Sequence, residues 1–299
     1  MNGYARSDLA CESACRSDRD DEGEEWRERR VGNFTVRSLR ILSGEAAKRL
    51  QKPCGTYVTV ECGKLNLVWG EKRRMLEHLL AGELRGMAER LTGKLPNPDF
   101  SVFVAGLGNV ELTADALGPK TVSRLTATRH LRKHESGIYQ KIGCSSLSAL
   151  APGVLGQTGM ETLELLQSVT NCIKPDLVVV VDALAARSCE RLASTIQLSD
   201  AGIEPGSGVG NHRAPITRQT LGVPVAVLGA PTVVDSATLV WDALDQAGIK
   251  EPDEALRRVL ETGKSFFVSP KESDVICDRV ARVFADAISL AFVGVSDED

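Results

Sequence analysis

Through the middle of the chain the apolar residues gather in short unbroken runs, Ser101-Val-Phe-Val-Ala-Gly106 and Leu177-Val-Val-Val-Val181, set between stretches where they recur three and four apart. Unbroken β-branched runs bounded by glycine or a carboxylate predict strands buried on both faces, whereas three-and-four spacing predicts amphipathic helices. Strands are predicted at 56–62, 65–69, 101–105, 177–181 and 225–229, the first two linked as a hairpin through Gly63-Lys64. Helices are predicted over 71–91, 116–131 with Pro119 in its first turn, 160–172, 235–247, 253–262 and 273–292. Strands interleaved with helices imply an α/β fold, a three-layer sandwich around a mostly parallel or mixed central sheet.

Two of the predicted strands lead to aspartates. Asp115 follows the 101–105 strand through the turn Gly106-Leu-Gly108-Asn109, and Asp182 directly ends the 177–181 run. Ligands and chemistry in open α/β sheets collect at the carboxyl edge of the strands. Neighbouring strands would let the two carboxylates share one water, the simplest machinery for peptide hydrolysis. The competing structural roles are a helix-capping acid for Asp115 and a loop cap for Asp182.

Composition narrows the field. With 299 residues, 42% of them hydrophobic, the chain can bury a substantial core, and a net charge of −4 provides no basic field for nucleic acid. There is neither a membrane-length apolar run nor a signal-peptide pattern, so a cytoplasmic protein is expected. Residues 1 to about 30 are polar and densely charged, the pattern of a flexible arm, and the folded body is expected from Val31 onward. The eight cysteines lack any C-x-x-C pair and are expected as reduced, buried thiols. His130 and His134 are one helical turn apart without an accompanying carboxylate motif, which favours a solvated helix face over a metal site. No cofactor or metal is expected.

Two glycine patterns bear on binding. In Gly106-x-Gly108, Glu111 stands where a dinucleotide fingerprint needs its third glycine, which argues against a pyrophosphate there. The loop Gly202 to Gly210 has four glycines in nine residues, enough for backbone amides to approach an extended peptide or polarise its carbonyl. Gly108, Asn109, Gly208, Asn211 and His212 are the candidate substrate-binding positions of these two loops. Arg187, just beyond Asp182, is the candidate cation.

Taken together, Gly106-Leu-Gly-Asn-Val-Glu-Leu-Thr-Ala-Asp-Ala-Leu-Gly-Pro119, Val181-Asp-Ala-Leu-Ala-Ala-Arg-Ser188, Thr195 to Asn211 and Gly229-Ala-Pro-Thr-Val-Val-Asp235 resemble the germination proteases of spore-forming bacteria over nearly the whole chain. The resemblance implies an endopeptidase that degrades small acid-soluble spore proteins during germination, located in the spore core and assembled as a homotetramer. It implies a phosphorylase/hydrolase-like sandwich, as in hydrogenase maturation proteases, and puts the family's proposed catalytic aspartates on Asp115 and Asp182. Those fold relatives use two acidic side chains to contact a metal, which makes a metal-dependent peptidase the alternative. The family is also made as a zymogen that cuts itself after an acidic residue and before a hydrophobic one and alanine. Ser7-Asp8-Leu9-Ala10 fits, with cleavage expected between Asp8 and Leu9. The implied organisation is a propeptide at 1–8, a charged arm at 9–30 and a single peptidase domain at 31–299. One position departs: Ala5 stands where the family favours another acid.

Overall fold

The computed structural model describes residues 7–13, 23–209, 213–249, 253–262 and 266–294. Among these residues nine strands form one sheet: β1 (Glu24–Val31), β2 (Phe34–Ile41), β3 (Gly55–Glu61), β4 (Ser101–Gly106), β5 (Ser146–Leu150), β6 (Leu177–Ala186), β7 (Thr195–Ser199), β8 (Val225–Asp235) and β9 (Phe267–Val268). Their order is β1-β2-β3-β7-β8-β6-β4-β5, with β9 pairing to β8. The sheet is therefore mixed. β8, β6, β4 and β5 run parallel, while β1, β2, β3, β7 and β8 pair antiparallel.

The parallel strands read as continuous apolar runs because helices cover both faces. Val102, Val104, Val179 and Val181 pack beneath the helices Gly70–Thr92 and Ser273–Phe292, through Leu80, Leu84, Phe284 and Ile288. The alternate residues Phe103, Ala105, Val178 and Val180 pack on the opposite face with Leu166 of the helix Thr162–Ile173. These three layers match the expected sandwich.

Several boundaries differ from expectation. The 65–69 segment is no strand. Leu65–Leu67 forms a 3-10 turn that buries Leu65 and Val68, three apart, and exposes Leu67 and Trp69, a pattern that mimics strand alternation over so few residues. The predicted 116–131 helix stops at Val122 and a separate helix spans Arg129–His134, on which neither histidine is buried. The stretch expected as a charged arm carries a helical turn, Ala10–Ser13, and the edge strand β1. Charge pairing explains β1, since Glu25 meets Arg40, Glu28 meets Arg37 and Arg29 meets Glu83, giving an edge that resists further strand addition. Of the seven described cysteines, all free, only Cys62, Cys144 and Cys277 are buried.

Candidate active site

Asp182 lies within a strand and not at its end. β6 continues to Ala186, pairing with β8 beyond the point where β4 stops. The last β4 partner, Gly106, faces Val181, so Asp182 is the first residue of β6 past the carboxyl end of β4. Leu107 N–H closes that corner on Val181 C=O at 2.8 Å.

Asp115 is brought to the same corner by the turn after β4. It ends the 3-10 turn Thr113–Asp115, which Thr232 of β8 anchors by donating its hydroxyl to Ala114 C=O at 2.6 Å. The Asp115 carboxylate does not cap the following helix, whose N-cap Ala116 makes no side-chain capping bond. Instead Asn109 N–H donates to Asp115 Oδ2 at 2.8 Å. Gly108 has φ +112°, and a Cβ there would lie 2.0 Å from Asp115 O and 2.9 Å from its Oδ1, so only glycine fits. Asn109 Oδ1 in turn accepts from Glu111 N–H and Gln157 Nε2. Gly108 and Asn109, expected to bind substrate, thus hold Asp115 in place.

The two carboxyls differ in environment. Burial drives the Asp182 carboxyl well above the ordinary aspartate range, and the charges of Asp115 and Asp8 push it further against one opposing bond from Ala183 N–H. Asp115, half-buried, is raised by burial alone and restrained by the Asn109 N–H. Two acids with unequal surroundings, one of which feels the other's charge, are the arrangement in which one holds a proton while its neighbour is charged.

The residues the motif suggested as a cleavage point dock along the end of β6, beyond Asp182. Asp8 N–H donates to Ala185 C=O at 2.9 Å, and Ala185 N–H returns a bond to Asp8 Oδ2 at 2.8 Å. Ser207 Oγ donates to Asp8 Oδ1 at 2.9 Å. Gly208 lies against that carboxylate, and a Cβ there would come within 2.3 Å of Asp8 Oδ2. Leu9 is fully buried beside Leu184, Ala186 and Val234, while Ala10 packs into a separate cluster with Leu39, Ile41 and Tyr57. Lys52 Nζ donates to Ser7 C=O at 2.7 Å; burial lowers its ammonium, and the charges of Asp8 and Glu12 oppose that. Glu12 then turns back to accept from the N–H groups of Arg187 and Ser188 at 2.7 and 2.9 Å. A cleft of about 650 Å³ opens beside this segment, lined by Asp8, Lys52, Tyr57, Leu184, Gln197 and Ser207 among others.

Arg187, expected to read an acidic side chain, is exposed and meets Glu12 through its backbone, not Asp8. Arg213 pairs with Glu161. Asn211 and His212 lie outside the described residues. Gln197, Ser207 and Lys52 escaped sequence reasoning because a lone glutamine in a strand, a serine among glycines and a lysine between elements carry no pattern. Among the described residues no group of three or more His, Cys, Asp and Glu side chains is placed to hold a metal ion. Nor is any helix among them long and apolar enough to cross a membrane.

Known proteins similar to this chain point to one family. The sequence profile of the family described as germination protease matches residues 6–251. The germination protease of Clostridium perfringens strain 13 is 38% identical over 318 residues, covering 96% of this chain and 94% of its own. That of Priestia megaterium is 40% identical over 235 residues, covering 77% of this chain and 62% of its own. Among solved structures, a NiFe hydrogenase maturation protease from Thermococcus kodakarensis KOD1 is similar over 64% of this chain and 94% of its own, with a TM-score of 0.33 and 16% identity.

Proposed function

The chain belongs to the germination protease family, a family of peptidases, and on that premise we propose that it is an endopeptidase that starts the breakdown of small acid-soluble spore proteins and first cuts itself between Asp8 and Leu9. What supports this is the docking of residues 7–10 along the end of β6 beyond Asp182, with the Asp8 carboxylate bonded to Ala185 N–H and Ser207, Leu9 buried, and the Asp8 charge felt at Asp182. In this proposal the chain's own segment is seated along the wall of the cleft as a substrate would be, and residues 1–8 are a propeptide whose presence keeps other peptides out.

Asp182 is the partner that keeps a proton, because it is the more deeply buried and feels two other acids. Asp115 is the base: it is more accessible, and an N–H bond stabilises its charged form. Asp115 takes a proton from water as the water attacks the carbonyl carbon, and Asp182 supplies one to the leaving nitrogen. Acid specificity before the cut is supplied by Ser207 Oγ and Ala185 N–H with Lys52 nearby. The spore-core location and homotetrameric state complete the proposal; sedimentation measures the latter.

The test is incubation of the purified chain, alone and with an acidic spore protein, with and without a strong chelator, and mapping of cut bonds by mass spectrometry. Loss of residues 1–8 and cuts after acidic residues, unchanged by chelator, are expected. Intact proteins after prolonged incubation sink the proposal, and chelator-sensitive cutting favours the metal-dependent alternative.

A further inference from the structure

Gln197 is a buried glutamine in β7, 6% exposed, and both ends of its carboxamide are spent on the docked segment. Its Nε2 donates to Asp8 C=O at 3.1 Å, and its Oε1 accepts from Ala10 N–H at 2.7 Å. The two contacts straddle Leu9, and the first falls on the carbonyl of the Asp8–Leu9 bond. Register explains why this side chain reaches there. Gly229 of β8 is opposite Asp182 on one side and Gln197 on the other, so the three residues form one row across the sheet. Residues directly opposite project from the same face, and two strand spacings of about 4.8 Å separate the Asp182 and Gln197 backbones by roughly 10 Å. The side chain of Leu184 lies over Gly229 in the middle of this row, 2.7 Å from where a Cβ there would stand, and packs with Leu9 of the docked segment.

We infer that Gln197 is a catalytic residue: its Nε2–H holds the carbonyl oxygen of the bond being cut and stabilises the negative charge that develops there. This rests on the proposed cut between Asp8 and Leu9. Water oxygen adds to the Asp8 carbonyl carbon and gives its proton to the ionised carboxylate, while the carbonyl π pair moves onto the oxygen facing Gln197. When that pair returns, the C–N bond breaks and the Leu9 nitrogen leaves as an amine with the proton supplied by the neutral carboxyl. The carboxamide is unchanged throughout. A neutral donor also suits this position, because a lysine or arginine so close would stabilise the charged form of Asp182 and strip the proton the mechanism needs. Such a donor, preorganised on a strand and 6% exposed, acts where charge appears only during reaction.

Full-length chains carrying Gln197→Leu or Gln197→Glu separate the roles, since glutamate keeps the acceptor for Ala10 N–H and loses the donor. Single-turnover release of residues 1–8, followed by mass spectrometry, should slow about a hundredfold to a thousandfold in both, with circular dichroism unchanged. A peptide spanning residues 5–14 with an ester in place of the Ala10 N–H, cleaved in trans by the processed wild type, should show a raised KM and a preserved kcat. A folded variant releasing the segment within about threefold of wild type overturns the role of Gln197 alone, given the size expected of an oxyanion donor. A wild-type chain that never cuts between Asp8 and Leu9 overturns the proposed bond and Gln197's role together.

Discussion

The two halves of the sheet do different work. The parallel half, β5-β4-β6-β8, delivers the acids: β4 ends one strand-step before Asp182, and the turn after it places Asp115. The antiparallel half, β1-β2-β3-β7, contributes Gln197 from β7 and the cluster of Leu39, Ile41 and Tyr57 that receives Ala10, while β6 and β8 hold Asp8 and Leu9 through Ala185, Leu184, Ala186 and Val234. Asp182 thus sits on a strand buried on both faces, where desolvation raises its carboxyl's pKa, and Asp115 on a half-buried turn beside it. On β7, in the other half, the apolar Ile196 and Leu198 alternate with the polar Thr195, Gln197 and Ser199, all buried, which leaves Gln197 free to bond the segment. β8 belongs to both halves and sets their spacing through Gly229.

Substitutions in the acid half should give the largest effects. Asp115→Asn and Asp182→Asn should each slow segment release and spore-protein cleavage by about 10²–10⁴-fold, the usual contribution of a general acid or base, as measured by mass spectrometry. Stability should move the other way for Asp182. Its folded pKa is raised, so its contribution to stability is fully present below the unfolded value and is lost as pH rises through the folded one. Asp182→Asn should therefore melt at a higher temperature than wild type at pH 8, with the gap closing near pH 4. Glu77, pushed up to about 7 by burial against the pull of Arg73, titrates in the same window in both proteins and cancels in the comparison. A lower melting temperature for Asp182→Asn at pH 8 would mean that the carboxyl is not held against its desolvation.

A matched pair of glycine substitutions tests the division directly. Gly108→Ala forces a Cβ against Asp115 and strains a φ of +112°, so it should cost about 1–3 kcal/mol in denaturant melts and lose cleavage. Gly208→Ala adds a Cβ at 2.3 Å from Asp8 Oδ2 and 2.7 Å from Ala185 Cβ, so it should lower stability and loosen the segment without touching Asp115, seen as faster hydrogen exchange over residues 7–13. Equal behaviour of the two variants would erase the distinction between chemistry and grip. The smallest effect is expected from Ser207→Ala, which removes one charge-assisted bond worth about 1.5–3 kcal/mol before solvent screening. Cleavage of a peptide with Asp8 before the cut should fall about tenfold, while cleavage of the same peptide carrying Asp8→Asn falls less; equal losses would show that the hydroxyl does not read charge.

How much of this was legible beforehand differs by half. The β4 and β6 runs, the long helices Gly70–Thr92 and Ser273–Phe292, and the layered α/β arrangement follow from hydrophobic period, a dense signal in continuous buried runs. Asp115 and Asp182 were visible because a carboxylate after such a run breaks its pattern. Leu65–Leu67 misled because alternation over five residues serves a 3-10 turn as well as a strand. β1 was hidden because its stability lies in cross-strand charge pairs with β2, whose register no local pattern reveals.

By itself, then, the sequence determined the layered fold, the two aspartates and the acidic, hydrophobic, small triplet at Asp8-Leu9-Ala10, because each is written in residues that are neighbours along the chain. Only the tertiary structure decided that Gly108 and Asn109 serve Asp115, that Ser207 and Ala185 meet Asp8, and that Gln197 faces the Asp8 carbonyl. The physical reason is separation: Gln197 and Asp8 stand 189 residues apart, and their meeting depends on a strand order that puts β8 between β7 and β6. Hydrophobic period selects which segments become strands but carries no information about which strands become neighbours.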